Sequence, residues 1–402
     1  MEASAAWAGV AYETRPWHRD PDAVGSRRAV RGASGPYSAA IPPFIARSSV
    51  ELPSEAAALL DDATSELTRF DAEVGLVAAP FSAILLRTES ASSSEVENIT
   101  SSAKQLALAE IGESGSGNAR LVVGNVRAMT AAIDLADRLD VDSVIRMHEA
   151  LLEHHAPDIV GRWRDQQVWI GGGGLSPHRA AFVPPHAERV PELMGDLMSF
   201  SQRTDLPVLA QVAIAHAQFE TIHPFPDGNG RTGRALVQGM LRAGRVTRTV
   251  TVPVSAGLLS DLPAYFGALT AYRDGDLMPL FEVFSEASFA AVRNGRRLVA
   301  ELQDVRARWE SVIAARVDSS VYRLMSDLLR RPVTTTRIAA AELGVSIVTA
   351  QNGIDRLVEA GVLEQAGGGQ RYRRWAAPEV LQALDAFAAR AARGTGRVAP
   401  SA

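Results

Sequence analysis

The stretch TIHPFPDGNGRTGR, residues 221–234, constrains the fold of this chain more than any other. A helical pattern runs over 207–221, and Pro224 and Pro226 must interrupt it, since proline lacks the N–H that a helix interior requires. His223 therefore falls at or just past a helix end, facing the loop that follows. Gly228 and Gly230 then permit a tight turn into a second helix, whose apolar pattern continues through 235–242 to Gly244. Two helices must meet at a short polar loop, and everything else in the chain has to accommodate that corner.

Composition limits the classes of protein this can be. The 402 residues suffice for two or three domains, and 47% hydrophobic with 22% charged residues is the make-up of a soluble globular chain. A net charge of −5 gives no general attraction to nucleic acid or membrane, so any such affinity must be local. Cysteine is absent, which removes disulfides and thiolate metal sites and suits a reducing compartment. No run approaches the roughly 18 apolar residues of a membrane span. The opening MEASAAWAGVAYETRPWHRDPD has an early acid and no apolar segment, so it does not read as a signal peptide. A cytoplasmic protein is expected.

Along the chain, residues 1–45 are rich in Gly, Pro, Ser, Arg and Ala without periodicity. They read as an extended arm, ordered where 42–45 docks on something. Helical spacing begins with LPSEAAALLDDATSELTRFD, where Ser54 is a candidate N-cap, and two further helices are expected over 80–88 and 95–111. A long helical region resumes at Val122. It is interrupted by VWIGGGGLSPHRAAFVPP, 168–185, whose short β-type runs flank glycines and prolines as in a hairpin. Helices are expected again over 188–200 and 262–302. From about Ser320 three helices follow, with a tight turn at Leu343, Gly344 and Val345 and a cap at Ser346. Two glycine-joined strands complete the pattern of a winged helix-turn-helix.

The loop residues have the chemistry of a phosphoryl- or nucleotidyl-transfer site. Backbone N–H groups turned inward at Gly228 and Gly230, beside a helix N-terminus, make an anion site suited to phosphate. Arg231 and Arg234 lie three apart, on one side of the first helical turns, where cations are unfavourable unless an anion offsets them. Asp227 is placed to be a Mg²⁺ ligand, because that ion takes few protein carboxylates and completes its shell with phosphate and water. His223 is the nearby group whose ordinary pKa suits a general base near neutrality. PDGNG by itself is also an ordinary turn sequence. The added histidine and arginines favour a site without naming the reaction. His216, Glu220 and His223 form one helical stripe that could hold a transition metal, although Pro224 disturbs its last turn; His216 is expected instead to pack or hydrogen-bond beneath the loop.

HPFPDGNGRTGR resembles the signature HxFx[DE]GNGRxxR of Fic-domain proteins at every defined position. VGRWRDQQVWIGG…FVPP looks like the segment leading into that family's target-docking flap, and YFGALTAYRDGDLMPLFEVFSEA resembles its closing helices. The similarity spans approximately residues 45–300. It implies a mainly α fold, an all-helical core with a β-hairpin flap, and transfer of AMP from ATP to a Ser, Thr or Tyr hydroxyl of a protein. By that resemblance His223 would deprotonate the hydroxyl, Phe225 would anchor the loop, and Asp227 would hold Mg²⁺ on the α- and β-phosphates. Gly228, Asn229 and Gly230 would form the anion hole, Arg231 would contact phosphate, and Arg234 would position the γ-phosphate. The flap, with Val168, Trp169, Ile170 and Gly171, would pair with an extended target segment by strand addition. Transfer of another nucleotide or of phosphocholine would use the same loop.

Ser93, Glu97 and Asn98 fit the family's inhibitory pattern [ST]xxxE[GN]; a serine-rich helix start with scattered glutamates is the other reading. Glu97 paired with Arg234 would leave ATP an unproductive pose, or Glu97 would orient a water for removing AMP. The expected domains are an arm over 1–45, an inhibitory helical region over 46–120, a catalytic domain over 121–300 and a linker helix over 301–319. A winged helix over 320–378 and a terminal helix and tail over 379–402 complete the order. The winged helix would contact DNA, as a transcriptional regulator does, through Thr349, Gln351, Asn352 and Arg356 and through Arg371, Arg373 and Arg374 of the wing. Its Asp355 and Glu359 suit protein contact or a homodimer equally.

Overall fold

The computed structural model describes residues 7–17, 35–76, 80–113, 116–172, 176–313, 319–367 and 373–393. Two compact units emerge, and neither is contiguous in sequence. The first comprises 1–62, 131–244 and 263–285, and the second 63–130, 245–262 and 286–402. The divisions at 62, 130 and 285 fall inside the helices Ser54–Gly75, Gly117–Asp134 and Met278–Val312. The expected sequence of consecutive domains therefore does not coincide with these units, because the chain passes between them in mid-helix with no linker composition to mark it.

In the first unit, strand β1 (Ala11–Arg15) pairs antiparallel with β2 (Tyr37–Ile41) in the register Ala11 to Ile41 and Arg15 to Tyr37. This corrects the expectation of an extended arm ordered where 42–45 docks, since residues 11–15 and 37–41 are paired as well. Five-residue strands in a segment dense with Gly, Pro and Arg carry too little alternation to be seen. The segment after β2 docks as expected: Ile45 is fully buried, and its N–H donates to Asp196 Oδ2 at 2.6 Å. The amide of Gln218 reaches Pro43 O at 2.8 Å.

The core of this unit is helix α1 (Val208–Ile222), buried from Leu209 to its end. A helix buried on all sides must satisfy its polar groups internally. Gln211 donates to Phe200 O and Arg203 O at 2.8 and 2.9 Å, Gln218 accepts from the Tyr272 hydroxyl at 2.8 Å, and Thr221 Oγ1 donates to Ala217 O at 2.7 Å. Helix α2 (Asn229–Ala243) packs against it. Gly233 allows this approach, since a Cβ there would lie 2.8 Å from Phe219 Cδ1 and 2.9 Å from Glu220 Oε1.

The second unit holds the helix Pro80–Val96, a turn, and the helix Ala103–Glu110. The expected break over 89–94 is absent. Serine disfavours helices when it competes for backbone groups, yet here Ser90 Oγ and Ser94 Oγ bond back to Leu86 O and Ser90 O, both at 2.9 Å. Buried Glu89 accepts from Ser255 N–H and Oγ at 2.9 and 2.7 Å, and Asp71 accepts from the backbone of Thr249 and Val250, both at 2.8 Å.

Toward the C-terminus come the helix Ser320–Arg330, β3 (Val333–Thr334), the helices Thr336–Leu343 and Ile347–Glu359, then β4 (Glu364–Gly367) and β5 (Arg374–Ala376). β5 lies between β3 and β4 and pairs antiparallel with both. Gly344 closes the second helix at φ 64°, and Ser346 caps the third by accepting from Thr349 N–H at 3.1 Å. A last helix, Pro378–Ala392, follows. No helix among the described residues is long and apolar enough to cross a membrane.

Candidate functional site

Helix α1 ends at His223, whose N–H bonds Phe219 O at 2.8 Å with φ 51°, a left-handed conformation unusual outside glycine. The side chain is 22% exposed, and its Nδ1 lies 3.9 Å from Glu220 Oε2. Beyond it the loop is clamped at three places. Phe225 is fully buried, stacked on the His148 ring at 3.7 Å and 1°. The Asn229 side chain accepts from Phe225 N–H and donates to Phe225 O, both at 2.8 Å. His148 Nε2–H donates to Asp227 O at 3.0 Å.

Gly228 starts α2 at φ 77°, where a Cβ would lie 2.9 Å from Leu151 Cδ2. Thr232 N–H makes the first bond of this turn, to Gly228 O at 3.0 Å. N–H groups ahead of it at the helix start, those of Asn229 and Gly230 among them, have no acceptor within the helix. Asp227 is 68% exposed, its Oδ1 accepting from Gly228 N–H at 2.7 Å and its Oδ2 3.8 Å from Arg231 Nη2. Arg231 and Arg234 are both buried. An exposed carboxylate, a helix start, two buried guanidiniums and an imidazole therefore occupy one corner, an arrangement that can receive a polyphosphate and accept a proton.

Asn229 enters that corner only through its backbone, because both ends of its amide are spent on Phe225. His148 packs beneath the loop, and His216, as expected, is buried and hydrogen-bonded. His216 is buried elsewhere on α1, with Nε2 2.8 Å from the Tyr265 hydroxyl, and burial pulls its pKa down to about 3. Among the described residues no group of three or more His, Cys, Asp or Glu is placed to hold a metal. His148, from the helix Val141–Leu152, is held neutral by burial, which pushes its pKa down to about 4. Nothing in RMHEALLEHH distinguishes it from its neighbours; its partner lies 79 residues away.

A second residue missed from sequence is Arg164. Its Nε donates to His223 O at 2.8 Å, Nη2 to Pro185 O at 2.5 Å and Ile222 O at 3.3 Å, and Nη1 to Gln166 O at 3.0 Å. Among its described residues the flap, expected as a hairpin, is joined by an antiparallel bridge between Ile170 and Phe182. Gly171 and Gly172, at φ 72° and 78°, turn the chain away from a longer ladder. Val168 and Trp169 precede the bridge, and Trp169 packs edge-on against Trp17 at 5.6 Å. On the other side Ala40 N–H of β2 bonds Val183 O at 3.0 Å, so β2 borders the segment that follows the bridge.

Ser93, Glu97 and Asn98 belong to the second unit. The pattern lies at a helix end and not at a helix start. Ser93 is buried in Pro80–Val96, and Glu97 and Asn98 are exposed in the turn after it. Asn98, at φ 62°, donates to Glu95 O at 2.9 Å, and Ile99 N–H donates to Ser94 O at 3.0 Å. These are the two bonds of a Schellman end, whose left-handed residue is glycine or asparagine.

Several side chains expected to read DNA are engaged within the protein. Gln351 accepts from Thr336 Oγ1 and donates to Asp355, both at 2.7 Å, and Thr349 Oγ1 lies 2.9 Å from Ser346 Oγ. Arg374 pairs with Glu113 at 2.7 Å. Asn352, Arg356 and Arg373 are exposed, and Arg371 lies outside the described residues.

Residues 138–241 match the model of the Fic/DOC family. Residues 57–134 match that of the Fic/DOC family N-terminal region. Among similar proteins, the protein adenylyltransferase fic-1 of Caenorhabditis elegans is 30% identical over 161 residues, 39% of this chain and 28% of that protein. The protein adenylyltransferase Fic of Nematostella vectensis is 30% identical over 151 residues, 37% of this chain and 32% of that protein. The chain thus spans only about a third of the length of these relatives. A crystal structure of a Fic family protein from Desulfovibrio desulfuricans shares the fold at a TM-score of 0.54 and 22% identity, covering 82% of this chain and 97% of that one. The Fic segment contains His148, Arg164, the flap and the whole loop from His223 to Arg234.

Proposed function

We propose that this protein is a protein adenylyltransferase, moving AMP from ATP to a Ser, Thr or Tyr hydroxyl of a target protein or of itself. The observation that carries this reading is the corner at 223–234, where an imidazole at one helix end faces the start of the next across a clamped loop. His223 takes the proton of the attacking hydroxyl. The hydroxyl oxygen bonds the α-phosphorus, the bond from that phosphorus to the bridging oxygen breaks, and pyrophosphate leaves with the electron pair. The helix start, with Gly228, Gly230 and the backbone of Asn229, receives phosphate oxygens; Arg231 and Arg234 balance their charge. The exposed Asp227 carboxylate suits Mg²⁺, which takes one protein oxygen and completes its shell from phosphate and water. Bound there, the ion would neutralise phosphate charge.

Glu97 restrains this activity in the same reading, by pairing with Arg234 in place of the γ-phosphate. Support comes from the pattern at Ser93, Glu97 and Asn98, and from the Schellman turn that exposes Glu97 at a helix end. Labelled ATP tests both parts. Self-labelling should rise in Glu97→Gly and vanish in His223→Ala, with mass spectrometry finding AMP on a hydroxyl. Equal labelling of Glu97→Gly and wild type would remove the restraint, and labelling that survives His223→Ala would remove the mechanism.

A further inference from the structure

We propose that Arg164 is a positioning residue that sets His223 and the end of the flap relative to each other, so that the base and the target strand share one anchor. The inference rests on the adenylyl-transfer reading for its consequence, though not for its geometry. Every side-chain acceptor of Arg164 is a backbone carbonyl: His223 O, Ile222 O, Pro185 O and Gln166 O, at 2.8, 3.3, 2.5 and 3.0 Å. Its own N–H adds Pro224 O at 2.9 Å. Two of these carbonyls belong to the last turn of α1, where orphan acceptors carry the negative end of the helix dipole. One belongs to the prolines that close the flap.

Burying a guanidinium without a carboxylate among those bonds is costly, and such an arrangement persists where the geometry it enforces matters. Here that geometry is specific. His223 holds a left-handed backbone that a β-carbon disfavours, and its carbonyl is pinned by the shortest bond Arg164 makes to α1. The fork of planar donors spans Pro185 and His223 together, so a shift of the flap end and a shift of the imidazole are the same movement. Lysine cannot reproduce this, having a single rotatable ammonium in place of the fork.

The test uses the full-length chain carrying Arg164→Lys and Arg164→Ala, each with and without Glu97→Gly. Affinity for a fluorescent ATP analogue should stay within about threefold, whereas single-turnover AMP transfer should fall about 100-fold, the scale expected for misplaced reacting groups. Millimolar guanidinium should restore part of the rate to Arg164→Ala and none to His223→Ala. In parallel, the imidazole resonances of labelled His223 should move in Arg164→Lys while those of buried His216 stay. Transfer at the wild-type rate in Arg164→Lys overturns the proposal, as does parallel loss of nucleotide binding and transfer. Unmoved His223 resonances overturn it whether or not AMP is transferred. If the Glu97→Gly chain transfers nothing, the adenylyl-transfer reading fails, and the resonances alone decide the role of Arg164.

Discussion

His148 supports the loop at 225–229 from below while remaining uncharged. A histidine whose pKa falls from its ordinary 6.5 to about 4 binds fewer protons folded than unfolded. Its contribution to stability is therefore complete above about pH 6.5 and is lost as pH falls toward 4. Urea unfolding across this window should show wild type losing up to about 3 kcal/mol more than His148→Gln, which keeps a donor for Asp227 O without titrating. A shared slope for the two proteins would place the titration elsewhere. His216 shifts in the same direction, so both should still lose stability at low pH. That the loop's own side chains meet in one corner was legible in the sequence, because they stand within twelve residues of one another. His148 and Arg164 were not. They act through backbone carbonyls 79 and 59 residues away, and a carbonyl leaves no trace in a sequence.

The turn that ends Pro80–Val96 explains why a motif of this kind has asparagine or glycine at its last position. Only these two residues enter the left-handed region at little cost, and that conformation lets Ile99 N–H reach back to Ser94 O. Asn98→Gly should leave the thermal midpoint within a degree or two, while Asn98→Val should cost about 1–2 kcal/mol and fray the turn that carries Glu97. Equal midpoints for the two variants would show that the turn does not hold the helix end. Reading the helix itself from sequence failed for a local reason. Consecutive serines argue against a helix until Asn125, from another helix, donates to Ser90 O at 2.9 Å and Ser94 Oγ at 3.2 Å. The flap's two β-type runs do pair, and among the described residues they do so through the antiparallel bridge of Ile170 with Phe182, next to glycines at positive φ.

For the molecule as a whole, the helices Ser54–Gly75, Gly117–Asp134 and Met278–Val312 run on through the places where the compact units divide. Composition signals domain boundaries by linkers, and at 62, 130 and 285 the chain is helix. The C-terminal helices and strands were legible because caps and turns punctuate them, but what that module binds was not. With Gln351, Thr349 and Arg374 occupied inside the protein, a gel-shift series should show no retarded complex at about 0.15 M salt. A retarded band whose affinity falls steeply with salt would support the DNA reading.

The pairing of β1 with β2, and of β2 with the residue after the flap's bridge, gives the acceptor side of the proposed site its own small core. Tyr37, Ala39 and Val183 pack there with Trp17 and Trp169, apart from the cluster of His148, Phe225 and Asn229 at the loop 225–229. The two clusters share no residue. In the proposed reading, a change at Tyr37, Ala39 or Val183 reaches the acceptor side directly and the corner at 223–234 only through the anchor at Arg164.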